Sequence, residues 1–103
     1  PVRQALDLME THLADPLSVD QIAALVDLSP RQLQRAFRAG LDAPVAEVYR
    51  NLRLDLARDL VRRSRLPMGE IAQLTGFSAQ SHLSDAFRAR FGHPPRAERA
   101  AAR

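Results

Sequence analysis

Residues 22 to 44 return at residues 71 to 94, and so short a chain that repeats itself must build two copies of one small unit. Ile22-Ala23, Leu25, Ser29, Leu33, Ala36-Phe37-Arg38-Ala39, Leu41 and Pro44 recur as Ile71-Ala72, Leu74, Ser78, Leu83, Ala86-Phe87-Arg88-Ala89, Phe91 and Pro94. The offset is 49 up to the serine and 50 after it. Each copy reads as a short helix, a tight turn and a second helix, the outline of a helix-turn-helix unit.

The 103 residues suffice for one domain or two very small ones, because cores much under about 50 residues are marginal alone. An all-α fold of about seven helices is expected. Val2, Leu6, Met9 and Leu13 share a helical spacing that should end at Asp15-Pro16. Ser18 and Gln21 can form a capping box for a second helix, which should break near Asp27. Ser29-Pro30 then supplies an N-cap followed by proline at the first helical position, and the third helix should run to about Gly40.

A long helix over about 45 to 64 follows, with Val45, Val48, Leu52, Leu56 and Leu60 on one stripe. Asp55 with Arg58, and Asp59 with Arg62 or Arg63, have the spacing of surface ion pairs. A fifth helix is expected over 68 to 74, breaking at Gly76. A sixth should start from a Ser78 cap and end near Gly92, and a frayed seventh should follow Pro94-Pro95. This divides the chain into a first helix-turn-helix subdomain at 1–44, a central linker helix at 45–64 and a second subdomain at 65–103.

There is no cysteine, so disulfides and thiolate metal sites are excluded. No apolar run approaches the roughly 18 residues of a membrane span, and a cytoplasmic home with no membrane partner is expected. The chain opens on proline, as a fragment of a longer protein would. His12, His82 and His93 share no metal-ligand spacing, so neither metal nor cofactor is expected. Without a nucleophile-elbow or phosphate-cradling glycine pattern, an enzyme is not expected either.

All 15 basic residues are arginine, against 12 acids. Residues 1 to 52 carry 5 Arg and 7 acids, a net of −2, and residues 53 to 103 carry 10 Arg and 5 acids, a net of +5. Any surface for nucleic acid must therefore be local. In the third helix, Leu33, Ala36, Phe37 and Leu41 fall on one face at 100° per residue and should be buried. The opposite face holds Arg31, Gln34, Arg35 and Arg38. Arginine can donate two bonds to guanine, glutamine can pair with adenine, and arginine also binds phosphate, so this face has the side chains of a major-groove reader. In the sixth helix Leu83, Ala86, Phe87 and Phe91 should be buried, leaving Ser81, Ser84, Asp85 and Arg88 outward, with Gln80 and His82 near the start. Serine and glutamine can bond base edges or phosphates, so the second copy reads as a weaker or more shape-dependent reader.

These residues resemble the DNA-binding domain of AraC/XylS-type transcription regulators over nearly the whole chain. The likeness is carried by Leu17 to Ala23, by Leu28 to Phe37, by Leu52-Arg53-Leu54 with Ala57, and by Ile71-Ala72 through Gly76-Phe77-Ser78 to Phe87-Arg88 and Phe91-Gly92. The resemblance implies a bacterial regulator whose two recognition helices enter successive major-groove segments of double-stranded DNA, held apart by the central helix. By position it assigns base reading to Arg31, Gln34 and Arg35, and to Gln80, Ser81, Ser84 and Asp85. It implies a missing N-terminal domain for effector sensing or dimerisation, and the likeness is greatest to the subgroup that carries an amidotransferase-like domain there. Asp27 and Asp42 stand where that family has glycine, Val48 and Glu98 where it has an aromatic residue, and Asp85 where it has arginine. The rival reading is a helical protein-interaction module whose arginine faces meet acidic protein surfaces, for example on RNA polymerase.

Overall fold

The structure, a computed structural model, describes residues 1–102. Within them the regular structure is helical: α1 (Val2–Thr11), α2 (Val19–Leu25), α3 (Pro30–Leu41), α4 (Val45–Arg63), α5 (Met68–Leu74), α6 (Gln80–Phe91) and α7 (Pro95–Ala101). The chain divides into two compact units, Pro1–Leu52 and the part from Arg53 onward.

In the first unit Ala5, Met9, Ile22, Ala23, Leu33, Phe37, Val45 and Tyr49 form the buried core. The second is built around Leu54, Ala57, Val61, Ile71, Ala72, Leu83 and Phe87. Ile22-Ala23 and Ile71-Ala72 hold corresponding places, as do Leu33 with Phe37 and Leu83 with Phe87. Each unit is a leading helix, a helix-turn-helix and the start of a trailing helix. The dividing line falls inside α4, which trails the first unit and leads the second.

That double duty is why the expected stripe of Val45, Val48, Leu52, Leu56 and Leu60 is not the buried one. Only Val45 of the five is fully buried, and Tyr49, Leu54, Ala57 and Val61 complete the buried set in α4. Two cores make demands on one helix, so no single stripe at 100° per residue passes through all of them. Leu41, expected inside, is 42% exposed at the last position of α3.

Local chemistry sets most helix ends. Ser18 accepts from the Gln21 amide while the Gln21 side chain accepts from the Ser18 amide, and Ser29 and Gln32 do the same at the start of α3. α2 and α5 both close with a Schellman turn. The amide of Leu28 bonds Ala23 O at 2.9 Å, and that of Phe77 bonds Ala72 O at 2.9 Å. The left-handed residue in these turns is Asp27 (φ 58°) in one copy and Gly76 (φ 79°) in the other. Asp42 (φ 52°) and Gly92 (φ 85°) repeat that contrast after α3 and α6. Aspartate tolerates this conformation better than most side chains, so the fold keeps it at both positions.

Two ends differ from expectation. α1 stops at Thr11, before Asp15-Pro16, where Thr11 Oγ1 and His12 Nδ1 both bond the carbonyl of Leu8. Ser78 does not cap α6; the cap position is Ala79, which offers no side-chain bond. The offset of 50 has already set in at that point, so Ala79 corresponds to Ser29, and Ser78 instead pairs with His82 Nδ1 at 2.8 Å. α7 follows Pro94 as expected, with Pro95 and Glu98 buried.

Candidate nucleic-acid interface

Leu33 and Phe37 are fully buried, and this anchors α3 with its opposite face outward. Arg31, Arg35 and Arg38 are exposed on that face, and among the described residues none of them takes part in an ion pair. With Gln34, Ala39 and Pro44 they line an open hollow. Three unpaired guanidinium groups along about two turns make a local positive surface on a unit whose net charge is −2. Gln34 differs from its neighbours: it is half-buried, and its Oε1 accepts from the Val45 amide at 3.0 Å. One of the two acceptor sites on that oxygen is thus taken up inside the fold, while its second lone pair and the Nε2 donors stay uncommitted by this bond.

In the second unit, burial of Leu83 and Phe87 turns Gln80, Ser81, His82, Asp85 and Arg88 outward, with Ser84 half-buried. Among the described residues Asp85 makes no ion pair, and the intrahelical partnership with Arg88 is not formed. Phe91 packs edge-on against Phe87 with ring centroids 4.6 Å apart, and the guanidinium of Arg58 lies 4.6 Å from its centroid.

Of the two expected surface pairs on α4, one forms and the other is replaced by tertiary pairs. Asp59 does pair with Arg63 at 3.0 Å, but Asp55 meets Arg90 at 2.8 Å. Arg58 and Arg62 both reach Glu98, at 3.1 and 2.6 Å, and His93 Nε2 donates to the same carboxylate at 2.8 Å. Burial pushes the Glu98 pKa up, but hydrogen bonds from His93 and Arg62 and the charges of Arg58 and Arg62 outweigh it and hold the pKa below its ordinary value. Arg53 donates to the carbonyls of Thr75 and Gly76, both at 2.8 Å, and stacks on Phe77. It thereby braces the turn that sets α6 in place. In the first unit the Tyr49 hydroxyl donates to His12 O and accepts from the Leu17 amide at 3.0 Å, fastening the α1–α2 connection, and Arg99 at the matching place in the second unit donates to Val61 O at 3.1 Å. None of these tertiary roles follows from local spacing. The one sequence clue was Glu98 standing in an apolar place.

Residues 22–101 match the helix-turn-helix domain family. The HTH-type transcriptional regulator GbdR of Pseudomonas aeruginosa is 37% identical over 98 residues, covering 95% of this chain and 27% of that protein. The crystal structure of an AraC-type transcriptional regulator from Chromobacterium violaceum matches with a TM-score of 0.93 at 38% identity, over 97% of this chain and 89% of that one. The DNA-binding domain of AdpA, solved in complex with a target DNA, matches with a TM-score of 0.92 at 28% identity, over 98% of this chain and 91% of that one. With its two cores, paired Schellman turns and outward polar helix faces, the chain belongs to the AraC-type helix-turn-helix family.

Proposed function

We propose that this chain is the sequence-specific DNA-binding part of a bacterial transcription regulator and that it reads two successive major-groove segments, one with α3 and one with α6. The observation that carries the reading is the exposed, unpaired arginine face of α3 on a duplicated helix-turn-helix frame. Arg31 and Arg35 read bases and Arg38 binds phosphate, with Gln80, Ser81, His82, Ser84, Asp85 and Arg88 forming the second reader. The relative solved on its target DNA supports the same reading.

The chain spans 27% of the length of GbdR, so the whole protein is proposed to carry a further N-terminal domain for effector binding or dimerisation. Among the described residues no helix is long and apolar enough to cross a membrane, and a cytoplasmic regulator is the proposed setting. RNA polymerase is a proposed further partner. Titration of a short labelled duplex at two salt concentrations, followed by footprinting, tests the proposal. The affinity should fall steeply with salt, and protection should cover two segments about one helical turn, roughly 34 Å, apart without a palindrome. Protection of a single segment, or binding that needs a protein partner, would favour an interaction module instead.

A further inference from the structure

We infer that Gln34 is a positioning residue, one that ties the recognition helix α3 to the first turn of α4 and leaves base reading to the arginines around it. The inference rests on the proposed DNA-reading role of α3. Helix starts leave backbone donors without intrahelical acceptors, and a buried one must find a partner elsewhere. Val45 is the first residue of α4 and is fully buried, and Gln34 Oε1 accepts its amide from a side chain 11 residues earlier.

The internal duplication supplies the control. Fifty residues on, Val45 corresponds to Pro95 and Gln34 to Ser84. Pro95 is buried at the first position of α7, where proline is favoured because it has no N–H to satisfy. Ser84 is shorter than glutamine, and no donor awaits it there. The donor and its acceptor are thus both present in one copy and both absent from the other, as they should be if each exists for the other. While the bond holds, the Gln34 side chain is anchored at the α3–α4 junction, and its reach toward a base is set by that anchor.

Gln34→Met keeps the side-chain length and removes the acceptor, while Gln34→Glu keeps an acceptor. Exchange of the Val45 amide should be roughly three- to tenfold faster in Gln34→Met and unchanged in Gln34→Glu. On DNA, Gln34→Met should thin the footprint over the segment read by α3 and spare that read by α6. Selection from a random pool should return the same bases. Added to Val45→Pro, which mimics the second copy, Gln34→Met should shift the melting temperature no further. Equal Val45 exchange in the wild type and Gln34→Met would overturn the inference, as would the loss of one base preference with exchange unchanged. The exchange comparison uses no DNA, so it decides the tie even if the DNA-reading proposal fails.

Discussion

Arg53, Arg58, Arg62, Arg63, Arg90 and Arg99 of the second unit are all engaged by carbonyls, carboxylates or rings of their own fold, whereas Arg31, Arg35 and Arg38 of the first lie exposed. Net charge therefore misleads: the unit at −2 presents the arginine surface, and the unit at +5 uses most of its arginines internally. Arg31→Ala or Arg35→Ala should each cost about 1 to 3 kcal/mol of binding and relax base preference in one half-site. Ser81→Ala and Ser84→Ala should cost less in the same fluorescence titration, and equal losses would reverse the ranking of the two readers. Glu98 gives a separate expectation for stability. Its carboxyl titrates lower in the folded chain than in the unfolded one, so its contribution is complete above the ordinary value of 4.5 and is lost as pH falls through the folded value. Melting curves should show this loss on acidification below about pH 4.5, and Glu98→Gln should flatten that part of the profile. At neutral pH Glu98→Ala should destabilise by about 2 to 3 kcal/mol, the low end for a buried charge cluster because the arginines stay partly solvated.

At the scale of the helices, the two capping boxes should each be worth about 1 kcal/mol, so Ser18→Ala and Ser29→Ala should both lower the melting temperature. Ser78→Ala should barely move it, since among the described residues the Ser78 side chain bonds an exposed histidine and no backbone amide. This contrast also marks how far the sequence could be read. Ser18 with Gln21, and Ser29 with Pro30, were readable because a cap is decided within four residues. Ser78 looked like the same signal, but the inserted residue moves the cap position to Ala79. The buried pattern of α3 and α6 was readable from periodicity for Leu33, Phe37, Leu83 and Phe87. That of α4 was not, because two cores divide it. Glu98 with Arg58 and Arg62, and Arg53 with Thr75, join residues 22 to 40 positions apart, and local patterning carries no information about such pairs. The outward faces could be assigned from sequence, but the engagement of Gln34 with Val45 needed coordinates.

Over the whole molecule, affinity and selectivity for DNA should separate between the two readers. In the proposed interface Asp85 would repel phosphate but could accept from cytosine N4, and so would select more than it attracts. Asp85→Arg should tighten non-specific binding, steepen the salt slope by about 1 and shift the base preferred in the second half-site. An unchanged slope and an unchanged selected motif would remove Asp85 from the interface. The shared helix α4 bears on how such readers can be recombined. A domain boundary normally lies in an exposed loop that tolerates splicing, but here the boundary between Leu52 and Arg53 lies within continuous helix. A hybrid that joins the first unit of one such protein to the second of another should therefore be spliced within helix, because a flexible linker placed there would interrupt α4 itself.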